Sequence, residues 1–508
     1  MTDVRIDKIV VVGRDAPLWL AANVLRTALK ASGVSVQAVE LPGYVRAHDV
    51  YATQPALEAL HTSLGLTESA VLQATGGAFS LGQSFDGFSS GAPPFLHAPF
   101  FHAYGSYGAP IANLPFFPSW QKARGMGLNV SFEDFSLTAA AAKQGRVLIP
   151  DATTSAFARC DYGYHLPAVA YATFLKAEAI RNGVIPLAAQ HVSPLSKSDG
   201  SGLEAVILDG GQRVSGDLFI DMTGTDALLV RAFDVKRDSW RAQFPGDRVL
   251  VTSGPRLSPI PAYARIRAQT NGWLGHYPSQ SRTHLVQVFS GVRQSDDEAL
   301  RQAALTSGLV LGDAVVNVSS PGRRVQAWTA NCVAIGESAC AFDPIDNVEL
   351  LAVQTGLVHL LALFPVTSRF VSERDEYNNL MQQAFERMRD FQLVHYALNA
   401  CGPSPFWDQA RAAPLSAELG HKLAMFRARG LVPMLEQEGF APDSWRAILL
   451  GHGLRPETYD PRIDTVPPEE IKRQFQSMLG FIKTQVEGQA SHESYLELFG
   501  VADPARAF

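Results

Sequence analysis

The N-terminal segment contains the sequence pattern that most restricts how this chain folds. Residues 9–12 are β-branched and apolar and lead into Gly13, and an apolar helical stripe follows over residues 18–29. A second strand pattern, residues 34–39, ends at Glu40. A strand, a tight turn, a helix and a second strand are typical of the first βαβ unit of a nucleotide-binding sheet. We therefore predict a Rossmann-like α/β domain at this end of the chain.

The turn after the first strand departs from the pattern that binds a dinucleotide. That pattern is G-x-G-x-x-G, whose later glycines let the backbone approach the pyrophosphate. Here Asp15 and Leu18 stand at the second and third glycine positions. A carboxylate at Asp15 repels phosphates, whereas Arg14 is placed to reach them and Glu40 to bond a ribose hydroxyl. The sequence thus predicts a cofactor site at Gly13, Arg14 and Glu40 with weakened or lost affinity.

Composition and charge exclude several classes of function. The chain has 508 residues, of which 46% are hydrophobic and 18% charged, and its net charge is −6. This balance predicts a globular protein with neither a nucleic-acid partner nor a membrane partner. The four cysteines lack C-x-x-C spacing and the thirteen histidines lack ligand-like spacing, so no metal site is predicted. Without a signal-peptide pattern at the N-terminus, we expect a cytoplasmic location.

Two later strand patterns also end at glycines. Residues 216–224 predict a turn, a buried strand and a second turn, and residues 331–336 predict another buried strand with an apolar helical pattern behind it. A strand, a glycine and a helix N-terminus expose backbone N–H groups that suit an anion or the edge of a flavin. Taken alone, residues 216–224 are equally well interpreted as any buried strand. The predicted cofactor contacts here are Thr223, Gly224, Gly336 and Pro344.

Taken in order, these segments resemble the flavin-dependent tryptophan halogenases, a branch of the FAD monooxygenase fold. The resemblance rests on residues 216–221 and 331–336 and on three later pairs or triplets, which are Arg389-Asp390-Phe391, His395-Tyr396 and Phe406-Trp407. It implies an α/β (α+β) fold, in which a two-dinucleotide-type FAD-binding Rossmann-like domain carries an inserted β-sheet substrate region and a C-terminal helical region. It also implies reduced FAD from a separate flavin reductase, oxygen, an aromatic indole-like substrate and a homodimer.

The resemblance gives the expected domain organisation. We predict an FAD-binding-type domain over residues 1–370, with inserted substrate-region segments at about 43–135 and 235–320. Residues 371–508 form a helical region that completes the substrate pocket. The segment 43–135 is rich in Gly, Pro, Ser and aromatic residues, and long loops inside a compact protein usually build a site.

The catalytic pair that the resemblance implies is altered in this chain. The lysine of the family's T-F-K-L-G falls on Ser80, and the glutamate of its P-L-E-S-T falls on Asp346. Serine can hydrogen-bond but has no amine to take a halogen, so we expect Ser80 to orient and Asp346 to act as the acid–base group. Glu349 stands where small residues offer N–H groups to chloride, and its carboxylate disfavours halide unless it points away.

Aromatic side chains are the expected substrate contacts. His102 and Tyr104 match the two family residues on one face of the indole, Trp407 matches the residue on the other face, and Tyr396 falls near that pocket. Packing of ordinary core aromatics is an equally good interpretation of these four side chains.

Two functions stay open on the sequence. The first is an FAD-dependent halogenase-like or monooxygenase-like oxidoreductase, which the retained Glu40, Gly224 and Gly336 favour. The second is a non-catalytic halogenase-fold protein that binds an aromatic ligand or a protein partner, with weak or no FAD, which Asp15 favours. A serine hydrolase is not supported, because residues 336–340 lack the last glycine of G-x-S-x-G.

Overall fold

The computed structural model describes residues 5–89, 99–148 and 155–498. The strands are β1 Lys8–Gly13, β2 Ser35–Glu40, β3 Val50–Ala52, β4 Ala78–Ser80, β5 Gly82–Asp86, β6 Phe100–Ala103, β7 Gly163–Pro167, β8 Ile185–Ala188, β9 Val192–Ser196, β10 Leu203–Leu208, β11 Arg213–Ser215, β12 Leu218–Met222, β13 Arg237–Ser239, β14 Arg248–Pro255, β15 Ala264–Gln269, β16 Gly272–Pro278, β17 Arg282–Phe289, β18 Val315–Val318, β19 Gly322–Arg324, β20 Trp328–Thr329, β21 Cys332–Ala334 and β22 Cys340–Ala341. The helices are α1 Asp15–Leu29, α2 Ala56–Ser63, α3 Glu68–Thr75, α4 Phe116–Gly125, α5 Leu137–Lys143, α6 Ala168–Arg181, α7 Asp296–Ser307, α8 Glu349–Ala362, α9 Val371–Ala397, α10 Pro405–Arg411, α11 Ala417–Arg429, α12 Pro442–Gly451, α13 Pro468–Glu487 and α14 His492–Glu497.

The chain forms two compact units, each built from three segments. Unit 1 comprises residues 1–76, 166–241 and 319–389, and unit 2 comprises residues 77–165, 242–318 and 390–508. None of the helices found over the described ranges is long and apolar enough to cross a membrane.

Unit 1 contains a mostly parallel six-stranded sheet in the order β20-β21-β12-β1-β2-β8. β1 pairs in parallel with both β2 and β12, and β12 pairs in parallel with β21. The apolar residues 9–12 of β1 are fully buried, as expected for a central strand covered on both faces. The predicted Rossmann-like sheet, with the predicted strands at its centre, is thus confirmed.

A buried carboxylate, Asp221, organises the carboxyl edge of this sheet. Its Oδ1 accepts hydrogen bonds from the Thr223 N–H at 3.0 Å, the Thr223 hydroxyl at 2.7 Å and the Ser338 hydroxyl at 3.1 Å. Its Oδ2 accepts from the N–H groups of Leu229 at 2.8 Å and Val230 at 2.9 Å. Asp221 therefore joins the turn after β12 to the turn after β21, which are the two turns predicted to contact a cofactor.

Unit 2 contains a seven-stranded sheet in the order β18-β14-β17-β16-β15-β5-β6. Its pairs are antiparallel except β15–β5, which is parallel. α7 packs against one face through Ala299 and Ala303, whose partners include the buried side chains Leu250, Phe289 and Leu274. The β-sheet substrate region that the resemblance implies therefore corresponds to this sheet, most of whose strands lie between residues 235 and 320.

We expect Asp221→Asn to destabilise unit 1 strongly. The amide offers one acceptor oxygen in place of two and directs an NH₂ group at N–H donors, so at least two buried donors lose their partner. Each buried polar group left unpaired costs about 1–3 kcal/mol, so two of them should lower the free energy of unfolding by about 2–6 kcal/mol. Urea unfolding followed by circular dichroism measures this loss.

The matched control is Asp217→Asn. The Asp217 carboxylate accepts from the N–H groups of Asp7 and Lys8 at a partly exposed position, where water can replace a lost acceptor. Its replacement should cost less than about 1 kcal/mol. Equal losses in the two variants would contradict the role assigned to Asp221.

Candidate functional site

A crevice opens at the carboxyl edge of the parallel sheet in unit 1. Open α/β sheets bind their ligands outside the carboxyl ends of the strands, so this is where the fold places a nucleotide. The ends of β12 and β21, the start of α1 and the loop after β2 supply most of the wall. The lining residues are Arg14, Asp15, Pro17, Tyr44, Val45, Tyr51, Met222, Gly224, Ile335, Gly336, Glu337, Glu349 and Val353.

Asp15 is the first residue of α1 and lies where a pyrophosphate would meet the N-terminus of the helix. Its backbone is left-handed, with φ 55°, and its carboxylate accepts from the N–H groups of Tyr44 at 2.9 Å and Val45 at 3.4 Å. The carboxylate leaves no room for a side chain at Gly43, where a Cβ would lie 2.3 Å from Asp15 Oδ1. Asp15 is thus built into the turn and presents negative charge at the helix N-terminus.

Arg14 is engaged by other residues of unit 1. Its guanidinium lies 4.3 Å from the centroid of the Tyr44 ring, and its Nη2 is 3.3 Å from Asp226 Oδ2. Nη1 donates to the Pro42 carbonyl, and the Tyr44 hydroxyl donates to Asp226. The phosphate contact predicted for Arg14 competes with these interactions.

Glu40, at the end of β2, has protein partners on both carboxylate oxygens. Oε1 accepts from the Trp19 indole N–H at 3.3 Å, and Oε2 forms an ion pair with Lys176. A carboxylate has about four lone-pair sites, so these contacts leave capacity for the predicted ribose bond, which stays a prediction.

Two further carboxylates line the crevice. Glu337 and Glu349 are exposed to the crevice, but the surrounding protein limits their hydration. This desolvation, followed by the charge of Asp15, raises the pKa of Glu337 above its usual value. Desolvation, then the charges of Glu337, Asp49 and Asp15, raise the pKa of Glu349 to about 8. The sequence did not determine where the Glu349 side chain points. In the structure this side chain lines the crevice.

The position of the crevice suits FAD, but its side chains do not suit the phosphates. The left-handed glycines Gly224 and Gly336, with φ 73° and 67°, leave the backbone open to close approach. Against this, Asp15 presents a carboxylate to the crevice, and Glu337 and Glu349 add negative charge as the rising pH removes their protons, with Arg14 as the cation among the described lining residues. A negative charge on the crevice wall disfavours a pyrophosphate, which is itself negatively charged. The backbone turns therefore suit FAD, whereas the Asp15 carboxylate disfavours its pyrophosphate.

Glu337, Tyr44 and Asp226 were missed by the sequence reasoning. Glu337 directly follows the predicted turn at Gly336, so its place in the sequence was a usable signal. Tyr44 and Asp226 became relevant only through the fold, which brings the loop after β2 beside the turn after β12.

Asp346 lies in unit 1, on a short 3-10 turn, Pro344–Asp346, just before α8. The Asp343 carboxylate caps this turn by accepting from the Ile345 N–H at 3.1 Å. Asp346 is fully buried, and its backbone carbonyl accepts from the Gln54 amide at 2.8 Å. The predicted acid–base group and the predicted cofactor contact Pro344 therefore belong to one rigid turn.

Ser80 lies in unit 2, at the end of β4, which pairs with β7. The residue is 2% exposed, and its hydroxyl is 3.4 Å from the Gly82 carbonyl, to which it donates. At the position that the resemblance aligns with the family lysine, this chain thus has a short, neutral and buried side chain.

The predicted aromatic contacts are all buried in unit 2. His102 and Tyr104 have ring centroids 6.0 Å apart, and His102 lies 5.7 Å from Phe391. Tyr396 and Trp407 have centroids 5.8 Å apart. The structure therefore brings these residues together as two contacting pairs.

The polar atoms of the second pair bond to neighbouring residues of unit 2. The Trp407 indole N–H donates to the Gln269 carbonyl at 2.7 Å, and the Tyr396 hydroxyl accepts from the Trp273 indole at 2.9 Å. These bonds fix the rings in place, as buried tyrosine and tryptophan require. Over the ranges that the structure describes, no group of three or more side chains suited to hold a metal ion occurs.

We expect Asp15→Asn to raise the affinity for FAD. Asparagine tolerates a left-handed backbone and keeps an acceptor for the Tyr44 N–H, but removes one charge from the crevice. Relief of one screened repulsion of about 1 kcal/mol corresponds to roughly a fivefold gain in affinity. Quenching of FAD fluorescence on titration measures it. An equal gain in Asp217→Asn, which changes the same net charge outside the crevice lining, would contradict a local effect.

Glu349 should make the stability of unit 1 fall as the pH rises. Its carboxyl group keeps its proton up to about pH 8 in the folded protein, against a usual value of 4.5. Folding therefore loses stability as the pH rises between these values, and Glu349→Gln removes that loss. The melting temperature of the variant relative to the wild type should be higher at about pH 8 than at about pH 5. Glu376→Gln, an exposed change on α9, is the control and should show no such trend.

Comparisons with known proteins agree with this geometry. Residues 8–468 match the family model "Tryptophan halogenase". The structure of BrvH, a flavin-dependent halogenase from Brevundimonas sp. BAL3, superposes with a TM-score of 0.90 at 30% identity, covering 97% of this chain and 99% of that one. Xcc4156, a flavin-dependent halogenase from Xanthomonas campestris, gives a TM-score of 0.92 at 25% identity, covering 98% and 99%.

Among curated sequences, the tryptophan 6-halogenase SttH of Streptomyces toxytricini is 26% identical over 353 residues. That alignment covers 67% of this chain and 66% of SttH, just under two thirds of the relative. The resemblance inferred from the strand patterns and the later aromatic motifs is confirmed by these matches. The chain belongs to the tryptophan halogenase family.

Proposed function

We propose that the protein is a halogenase-like flavoenzyme, an oxidoreductase that acts on an aromatic, indole-like substrate with reduced FAD and oxygen. The observation that carries the proposal is the crevice at the carboxyl edge of the parallel sheet, framed by the Gly224 and Gly336 turns. When bound, reduced FAD would supply the electrons for oxygen chemistry. As the family resemblance implies, a separate flavin reductase would deliver the reduced FAD.

FAD binding is proposed to be weak at neutral pH. The residues that would hold the cofactor are those predicted from the sequence, namely Gly13, Arg14, Glu40, Thr223, Gly224, Gly336 and Pro344. Asp15 opposes them with negative charge in the same crevice, and Glu337 and Glu349 add to that charge only as the rising pH removes their protons. Because the pKa of Glu349 is raised to about 8, this carboxyl group is mostly protonated at neutral pH, and FAD binding should weaken further as the pH rises above 8.

Halogenation is proposed to be inefficient. Ser80 has no amine to take or carry a halogen, and above about pH 8 the charge of Glu349 on the crevice wall also disfavours a halide ion. Asp346 is the carboxylate proposed to exchange a proton with the substrate, and Ser80 is proposed to orient the substrate by hydrogen bonding. His102, Tyr104, Tyr396 and Trp407 are proposed to contact the aromatic ring.

A second candidate function has its own support. The crevice is held in shape without a cofactor. The contacts among Arg14, Tyr44 and Asp226 and the hydrogen bonds of Asp15 hold it. This arrangement favours a non-catalytic member of the family that binds an aromatic ligand or a protein partner. The absorption spectrum of the purified protein and quenching of added FAD fluorescence separate the two functions. Absence of flavin absorbance and of quenching, at about pH 6 as well as at neutral pH, would support the non-catalytic protein.

The wild type should produce little halogenated indole compound when supplied with a flavin reductase, FAD, oxygen and halide. Ser80→Lys should increase the yield, because it restores an amine at the position of the family lysine. Ser80→Met has a similar length without the amine and should not. Product is measured by mass spectrometry, and circular dichroism reports whether each variant folds. Robust halogenation of free tryptophan by the wild type would show that the role given to Ser80 is wrong.

A further inference from the structure

A second cavity lies in unit 2, on the face of the seven-stranded sheet that α7 covers. The register places Arg265 on β15 directly opposite His276 on β16, and Arg267 opposite Asp86 on β5. Residues two apart on a strand share a face, and directly opposed residues share it too. Arg265, Arg267 and His276 therefore converge on one side of the sheet.

The opposite face carries the aromatic residues already described. Trp273 lies an odd number of residues from His276 on the same strand, and its indole bonds Tyr396. The cavity beside His276 is thus separate from the predicted substrate aromatics. It has a volume of about 160 Å³, and a cavity of roughly 150 Å³ holds a benzene ring. The cavity therefore accommodates a small molecule of about one ring.

The two arginines in the cavity wall have different surroundings. Arg267 is held in place, because its Nε lies 2.9 Å from Asp86 and its Nη1 donates to the Thr306 carbonyl at 2.8 Å. Arg265 is exposed and makes no ion pair with any residue that the structure describes. With Arg267 balanced by Asp86, the cavity keeps one uncompensated positive charge, and the described lining contains no carboxylate.

His276 adds an acceptor beside this charge. Its Nδ1 lies 3.3 Å from the Arg265 carbonyl, and a carbonyl partner requires the proton on Nδ1. Burial, assisted by the charges of Arg267 and Arg265, lowers the pKa of His276 to about 4, so the ring is neutral at pH 7. The Nε2 atom of the neutral ring then carries a lone pair that can accept a hydrogen bond.

The rest of the wall is mainly apolar. It consists of Leu257, Pro261, Tyr263, Pro278 and Leu309, with Thr306 and Ser307 at the end of α7. An apolar body with a small number of placed polar groups is typical of small-molecule sites. The wall also suits an aromatic ring better than a strongly hydrated ion such as inorganic phosphate.

We propose that this cavity binds a small aromatic carboxylate that carries a hydrogen-bond donor next to the carboxylate. Arg265 pairs with the carboxylate, His276 Nε2 accepts from the donor, and the apolar wall contacts the ring. Anthranilate has this arrangement of groups and is the probe. Benzoate lacks the donor, and aniline lacks the carboxylate.

Isothermal titration calorimetry of the full chain at pH 7 tests the proposal. Anthranilate should bind more tightly than benzoate, and aniline should bind least. Arg265→Gln should weaken anthranilate at least tenfold, because one charged hydrogen bond of about 1.5–3 kcal/mol is lost. Arg265→Lys should retain part of the affinity. Arg293→Gln, an exposed change elsewhere in unit 2, is the control and should bind as the wild type does.

The donor contact is tested separately. In His276→Leu the preference for anthranilate over benzoate should disappear, while the melting temperature shows that the variant folds. Absence of anthranilate binding by the wild type, or equal binding by Arg265→Gln, would overturn the site. A preference that persists in His276→Leu would overturn the role of His276. Because FAD is not involved, these results are independent of the function proposed for the crevice in unit 1.

Discussion

The Asp221 carboxylate is the interaction on which the cofactor edge of unit 1 depends. A buried charge is costly unless hydrogen bonds compensate it, and here five donors do so. Those donors come from the turn after β12, from the loop that follows it and, through Ser338, from the turn after β21. Gly224 and Gly336 are thereby fixed relative to the sheet. The shape of the crevice is consequently set by an internal network and does not require a bound ligand.

The backbone geometry of this crevice and the charges of its side chains do not suit the same ligand. The backbone turns have the geometry of a nucleotide site, whereas Asp15 places a negative charge at the helix N-terminus and Glu337 and Glu349 become charged only as the pH rises. A like charge costs affinity without disturbing packing, because these side chains face the crevice and not the core. A family member can therefore keep its fold intact while the chemistry of its site changes.

The sequence predicted the fold well because strand patterns depend on local periodicity. Residues 9–12 and the strand within 216–224 could be recognised as buried strands before their neighbours were known, and both strands lie in the parallel sheet. The site was harder to predict. Glu40 lies at the end of its strand as expected, but Lys176, its partner in an ion pair, lies on α6, far along the chain. Tyr44 and Asp226 contact each other only after folding, so no spacing in the sequence could pair them.

The bonds of Asp15 to the loop after β2 have a wider consequence. By accepting from the N–H groups of Tyr44 and Val45, the carboxylate gives the fold an internal anion at the N-terminus of α1. A glycine at this position would leave those N–H groups without their acceptor and would still leave Arg14 bound to Asp226. Each of these residues depends on the others, so a single substitution at this edge leaves unpaired groups on its neighbours.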